Sequence, residues 1–149
     1  MYTLPNKPSK PILGQLGDTG DEGVVGVQCP GGPTVCLFHG ALKTLQRIRT
    51  ERETTFKDTL FAVASSSEEP SYSRSCLENL DIFPGVKMKS LFPYQQIGRT
   101  GKLTSRKTTH FNELKKVRRN EERSDEFTTL ALGMKTACDR TFMKDAPPP

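Results

Sequence analysis

Few residues of this chain have the types and spacing that could carry out chemistry. Its two histidines are His39 and His110, and neither lies in a motif that joins it to a nucleophile or to an orienting acid. Most of the acidic residues fall in charged helical patterns, where solvated ion pairs are the expected state. The sequence therefore predicts no catalytic residue and no small-molecule substrate, and we interpret the chain as a non-enzyme.

One cluster combines residue types that can bind a metal ion. Six residues separate Cys29 from Cys36, and two separate Cys36 from His39. This spacing matches no usual zinc site and no fourth ligand lies nearby, so we expect no metal and no cofactor. The other cysteines are Cys76 and Cys138. Because no apolar signal segment follows Met1, we expect an intracellular protein with reduced thiols, with a disulfide framework as the alternative.

A glycine-rich stretch, Gly98-Arg99-Thr100-Gly101-Lys102, invites comparison with a nucleotide-binding loop. That loop needs glycine five positions before its Gly-Lys pair and a hydroxyl residue directly after it. Gln96 and Leu103 occupy those two positions. The stretch is therefore predicted to be a turn.

Basic residues are concentrated in one part of the chain. The net charge is +5, and residues 99–119 contain eight basic side chains against one acid, Glu113. Upstream in this segment Arg99, Lys102, Arg106 and Lys107 alternate with Thr and Ser. We predict that its densest cluster contacts an acidic partner: Lys115, Lys116, Arg118 and Arg119. A solvated helix face and a nuclear-import signal are the alternatives.

Helical periodicity is clearest over Ala41–Ala64, which contains no Gly or Pro. Its apolar residues recur at three- and four-residue steps, which predicts an amphipathic helix over about 41–63, with a break near Thr50 as the alternative. Capping and periodic patterns predict further helices at about 76–81, 110–123 and 125–143. Two β-rich runs around Pro30-Gly31-Gly32-Pro33 predict a small hairpin over 24–38.

These elements divide the chain into five segments. They are a flexible Pro/Gly arm (1–22), a hairpin plus helix (23–64), a Ser-rich hinge followed by an extended apolar and basic strip (65–109), a C-terminal helical segment (110–145) and a Pro tail (146–149).

Apolar residues appear too few for a large core. Leu, Ile, Val and Phe total 33 of 149 residues, Trp is absent, and 11 prolines and 12 glycines interrupt the chain. We therefore expect a mostly irregular or extended chain without a large autonomous core, disordered when free. In the apolar strip, Leu91, Phe92 and Tyr94 are predicted anchors for a partner, and packing over the protein's own core is the equal alternative.

The combined prediction is a basic, non-enzymatic structural protein that becomes ordered on a larger acidic assembly. A tubulin-like surface, as in a microtubule or ciliary axoneme, is the favoured partner, and the cytoplasm or cytoskeleton the expected location. The alternatives are a ribosome- or nucleic-acid-associated accessory protein and a nuclear regulatory adaptor. No window of the sequence is long and apolar enough to span a membrane, so no membrane partner is expected.

Overall fold

The computed structural model of the protein describes residues 6–120 and 126–129. Within these residues the elements are, in chain order, β1 Lys10–Gln15, β2 Glu22–Gln28, β3 Thr34–Cys36, α1 His39–Thr50, β4 Thr59–Ser65, α2 Pro70–Asn79, β5 Asp81–Phe83, β6 Val86–Lys87, β7 Tyr94–Ile97, α3 Lys107–Asn120 and β8 Glu126–Thr129. Short 3-10 turns lie at Gly17–Thr19 and Met88–Leu91.

A parallel sheet with the strand order β7–β4–β8 lies at the centre of the described fold. β4 pairs with β7 from Ala62 opposite Tyr94 to Ser65 opposite Ile97, and its first half pairs with β8. Parallel neighbours need crossover connections, which α2 with the β5–β6 hairpin and α3 provide. The carboxyl ends of β4 and β7 consequently meet at the same edge.

The N-terminal part forms an antiparallel sheet with the order β1–β2–β3. Between β2 and β3 the chain turns tightly, because Gly31 has a positive φ of 65° and the Cys29 N–H donates to the Pro33 carbonyl at 3.2 Å. The hairpin predicted over 24–38 falls within this sheet. β1 adds a third strand from within the segment expected to be a flexible arm.

Alternate residues of β4 face two different apolar clusters. Phe61 and Val63 pack in the main core, together with Leu45 and Ile48 of α1 and Leu77 of α2. Ala62 and Ala64 point the other way, into a smaller cluster with Leu114 and the half-buried Phe111 of α3. Since successive side chains of a strand point to opposite faces, α1 and α2 cover one face of the parallel sheet and α3 covers the other.

The prediction of a mostly irregular chain without a large core is wrong. Fifteen buried residues form the main core. They come from the strands, from α1 and α2, from the turn at Met88–Leu91 and from three residues directly next to these elements, Leu16, Leu80 and Phe92. Low apolar content did not prevent this, because the core also uses Cys76 and Met88, and Ala62 and Ala64 fill the second cluster. The result is a compact α/β arrangement.

The predicted 41–63 helix is correct only in its first part. α1 ends at Thr50, near the alternative break, but turns and then β4 follow instead of a second helix. The Thr59–Ala64 run (TLFAVA) is covered on both faces, so it has no polar alternation to mark it as a strand.

Two further predicted helices have the wrong bounds or type. The helix expected at 76–81 begins at Pro70, and Ser75 lies inside it rather than capping it. Its buried hydroxyl donates to the Pro8 carbonyl. In place of the start of the 125–143 helix, residues 126–129 form β8, while 130–143 lie outside the described residues. The predicted 110–123 helix overlaps α3.

Candidate phosphoryl-binding edge

The carboxyl ends of β4 and β7 form an edge where two loops leave the parallel sheet side by side. One loop, residues 66–69, leads from β4 into α2, and the other, residues 98–106, leads from β7 into α3. The Gly98 N–H donates to the Ser65 carbonyl at 2.9 Å and joins the first residue of the second loop to the last residue of β4. Ligands of parallel α/β sheets bind outside the carboxyl ends of the strands, so this edge is the candidate site.

Lys107 places a positive charge at the end of the central strand. It is the first residue of α3, and its Nζ donates to the Ala64 carbonyl at 2.7 Å. The side chain is exposed overall, so the ammonium group lies between strand end and solvent. An ammonium has three donors, and this bond uses one. The geometry leaves Lys107 able to donate to an anion placed outside β4.

Three serines lie at the end of β4, and all three are half-buried: Ser65 is the last residue of the strand, and Ser66 and Ser67 follow it. Ser67 Oγ accepts a hydrogen bond from the Glu69 N–H at 3.1 Å, which shapes the entry into α2. A hydroxyl can donate to a phosphoryl oxygen while it accepts from the backbone. These small polar residues therefore lie at the strand end where Lys107 contacts the Ala64 carbonyl.

Arg99 braces this serine loop from the opposite loop. Its Nε donates to the Ser66 carbonyl at 2.7 Å, and its Nη1 lies 2.6 Å from Glu68 Oε1. This ion pair neutralises Glu68, a carboxylate that would otherwise repel a bound anion. On the same edge, Arg74 of α2 donates to the Ile97 carbonyl at 3.3 Å, and Ile97 is the last residue of β7. The edge thus carries an excess of positive charge.

Folded into this edge is the glycine-rich stretch predicted to be a turn. Gly98 and Gly101 have positive φ values of 118° and 63°, and the Leu103 N–H donates to the Thr100 carbonyl at 3.1 Å. Before α3, Thr104 Oγ1 accepts the Arg106 N–H at 3.2 Å. The turn therefore returns the chain to the strand ends, where α3 begins with Lys107.

The three predicted anchor residues lie in or against the protein's own clusters. Leu91 and Phe92 are 4% and 1% exposed in the main core, and Tyr94 packs half-buried against the Ala62–Ala64–Leu114 cluster. Packing over the protein's own core, the alternative that the sequence left open, describes these positions. A partner-binding role for them stays a prediction.

The predicted basic cluster lies toward the other end of α3 from the candidate site. Lys115 and Arg119 are exposed, Arg118 is half-buried, and Lys116 forms an ion pair with Glu113 at 2.6 Å. Lys115 lies eight positions after Lys107, which is about 12 Å along a helix. The cluster and the strand edge are thus separate surfaces, and an acidic partner for the cluster stays a prediction.

No thiol or metal cluster adds to this edge in the part of the chain that the structure describes. Cys29 and Cys76 are buried and unbridged. Burial, reinforced by charge repulsion from Cys29, raises the pKa of the Cys76 thiol to about 11. Residues 6–120 and the strand 126–129 contain no group of three His, Cys, Asp or Glu side chains placed to bind a metal ion. Nor is any described helix long and apolar enough to cross a membrane.

Sequence reasoning noted Lys107 only as one member of a basic segment and missed the role of Ser65–Ser67. The available signal was the apolar run Thr59–Ala64 followed at once by small polar residues and then by Pro70, a residue favoured at the start of a helix. This order is typical of a buried strand that leads through a functional loop into a helix.

The family model described as Acid Phosphatase matches residues 12–129, which span β4, both loops and α3. The chain belongs to the acid phosphatase family. No curated protein and no solved structure gives a significant match.

Family membership corrects the functional prediction. A match to an acid phosphatase model over most of the chain indicates an enzyme, so the expected non-enzymatic cytoskeletal or ciliary protein is wrong. The error came from searching for local motifs. The residues of the edge come from three separate stretches of the chain, around 65, 99 and 107, which only the parallel sheet brings together. The predicted intracellular location stays a prediction.

Proposed function

We propose that this protein binds phosphate monoesters at the carboxyl edge of β4 and β7 and hydrolyses them. The observation that carries this proposal is the Lys107 ammonium, 2.7 Å from the last-but-one carbonyl of β4 and next to the Ser65–Ser67 loop. The family match supplies the reaction class.

A phosphoryl group suits this edge by charge and by hydrogen bonding. A phosphate monoester has a charge of about −1.5 to −2 near neutral pH and three strong acceptor oxygens. Lys107 offers a point charge with donors to spare, and the serine hydroxyls offer neutral donors on the neighbouring loop. The 66–69 loop has two carboxylates, Glu68 and Glu69, and the charge of Glu68 is already compensated by Arg99.

Over the whole hydrolysis, the oxygen of a water molecule becomes bonded to phosphorus while the ester oxygen–phosphorus bond breaks, and the proton that this water loses ends on the departing alkoxide, which leaves as an alcohol. Lys107 and the serine hydroxyls can hold the phosphoryl oxygens in place and balance their charge through this exchange. Such preorganised donors stabilise a transition state more than water does, because they need not reorient as the charge moves.

The test uses the full chain with Lys107→Met and a matched control, Lys115→Met, which removes an exposed lysine from the same helix. Binding of inorganic phosphate is followed by NMR titration, and hydrolysis by release of nitrophenol from para-nitrophenyl phosphate. We expect the wild type and Lys115→Met to bind and turn over. Lys107→Met should weaken phosphate binding at least tenfold, about 1.4 kcal/mol, because a hydrogen bond from a charged group is lost.

The two arms of this test separate recognition from catalysis. Phosphate binding without turnover would overturn the hydrolytic part of the proposal and leave recognition in place. Equal binding by the wild type and Lys107→Met, or no binding by either, would overturn the site itself.

A further inference from the structure

His110 is a fully buried polar side chain close to the candidate site. It lies in the second turn of α3 and is 0% exposed. An imidazole taken out of water needs hydrogen-bond partners. Its partners therefore show what the side chain does in the fold.

One ring nitrogen of His110 forms a short bond to the loop that follows β7. Nε2 lies 2.8 Å from the Gly98 carbonyl oxygen. Because a carbonyl only accepts, Nε2 must be the donor. On the other side of the ring, Nδ1 lies 3.3 Å from the Arg106 carbonyl and 3.4 Å from Thr109 Oγ1. The ring is thus held between the first turn of α3 and Gly98.

Gly98 links His110 to the end of the central strand, β4. Its N–H donates to the Ser65 carbonyl at 2.9 Å, while its own carbonyl accepts from His110. Its φ of 118° favours glycine, and a Cβ there would lie 3.3 Å from Pro70 Cβ, so the peptide is closely packed against the start of α2. β4, the loop after β7 and α3 are therefore linked through one peptide unit.

His110 and Lys107 are three residues apart on α3, so their side chains lie on the same side of the helix. Lys107 has an exposed, flexible stem, yet its Nζ reaches the Ala64 carbonyl. Where that ammonium stands depends on how far the first turn of α3 is from the strand end. The His110–Gly98 bond sets this distance. Gly98 is bonded to the Ser65 carbonyl, and Ser65 is the residue after Ala64, whose carbonyl Lys107 contacts.

We propose that His110 is the positioning residue of the phosphoryl-binding edge: by donating to the Gly98 carbonyl it holds the first turn of α3 so that Lys107 meets the end of β4. This inference rests on the proposed function, because Lys107 is the group that it positions. His110 contacts no substrate in this scheme and acts through Lys107.

The main experiment is a double-mutant cycle in the full chain. His110→Gln places an amide N–H where Nε2 stands, whereas His110→Phe keeps a ring and removes the donor. We expect His110→Phe to weaken inorganic phosphate binding about tenfold and His110→Gln to stay within about threefold of the wild type. In a Lys107→Met background, His110→Phe should add no further loss, because the positioned group is gone.

Three results would overturn the inference. They are wild-type phosphate affinity in His110→Phe, failure of His110→Gln to restore it, and an undiminished effect of His110→Phe in the Lys107→Met background. If His110→Phe does not fold, His110→Asn replaces it, since its amide is one carbon too short to reach Gly98.

A second readout needs no phosphate and so separates this inference from the proposed function. Chemical acetylation of lysines, mapped by mass spectrometry, should increase at Lys107 relative to Lys115 in His110→Phe and not in His110→Gln. If wild-type protein bound no phosphate, the proposed function would fail, while this labelling ratio would still decide whether His110 positions Lys107. An unchanged ratio would refute the positioning role.

Discussion

Replacing Asp81 by Asn should weaken a buried polar link between the N-terminal sheet and the β5–β6 hairpin. Asp81 is 5% exposed at the start of β5. Its Oδ2 accepts the Val24 N–H of β2 at 3.0 Å, and its Oδ1 accepts Lys87 Nζ at 2.6 Å. The same lysine also donates to the Asn79 carbonyl at 3.1 Å. One carboxylate therefore joins β2, β5 and β6.

The expected loss of stability follows from these contacts. Removing one member of a buried ion pair costs about 3–5 kcal/mol when both charges are buried. Here the Lys87 side chain is 42% exposed and stays hydrated, and Asn keeps one oxygen that can accept from Val24. We expect the free energy of unfolding to fall by about 2–3 kcal/mol near neutral pH, a large part of the 5–15 kcal/mol of an ordinary domain.

The stability difference between wild type and Asp81→Asn should depend on pH in a definite direction. Burial raises the pKa of Asp81, but the hydrogen bonds from Lys87 and Val24, the charge of Lys87 and the Gly85 N–H together hold it below its usual 3.8. Because the folded-state pKa is lowered, the stabilisation is complete above the unfolded-state pKa and is lost as the pH falls through the folded-state value. The gap between wild type and Asp81→Asn should therefore narrow only below about pH 4.

Urea unfolding of both proteins at several pH values between neutrality and about pH 3 measures this gap. Asp18→Asn is the matched control, because Asp18 pairs with Lys43 at 2.7 Å but its side chain is 74% exposed, and it should unfold like the wild type. Equal stability of Asp81→Asn and wild type near neutral pH, or a gap that widens in acid, would refute the reasoning.

Three other changes test the core, the site loop and the thiols. Phe92→Ala should lower the free energy of unfolding, measured in urea, by about 3–5 kcal/mol, and the half-exposed control Val117→Ala should lower it by under about 0.5 kcal/mol. Similar losses of unfolding free energy in the two variants would place Phe92 outside the core. Gly98→Ala, forced to a φ of 118° and against Pro70, should lose about 1–3 kcal/mol of thermal stability together with phosphate affinity; an unchanged melting curve would contradict this. With a pKa of about 11 and 3% exposure, Cys76 should react with iodoacetamide only as fast as the protein unfolds, so rapid alkylation of native protein would disprove its burial.

Local patterns in the sequence locate some elements because the residues that decide them are adjacent. The Pro30–Pro33 turn between two β-rich runs lies between β2 and β3, and the amphipathic pattern after Lys107 lies on α3. Periodicity failed at β4 for a physical reason. A strand buried on both faces shows a continuous apolar run, and in TLFAVA that run extends the helical pattern of α1.

Composition misled the expectation about the core because it counts residues without their arrangement. Large aliphatic and aromatic residues are few, yet the fold gathers fifteen buried residues into one cluster. Among the described residues, Leu13, Phe38 and Val117 are the large hydrophobic side chains recorded as exposed. Pro70 is one of the prolines expected to interrupt the chain, yet it begins α2, because proline's missing N–H has no partner at the first helical position.

The candidate site could not be found by spacing, because its parts meet through the register of a parallel sheet. Ser65 pairs with Ile97, and this pairing alone brings the serine loop, Gly98 and the start of α3 together. In the sequence Lys107 and Lys115 are equivalent members of one basic segment. In the fold one contacts the end of β4 and the other faces solvent about 12 Å along the helix. If charge alone bound the phosphoryl group, their replacement by Met would have equal effects, so the difference between the two variants measures what the topology contributes.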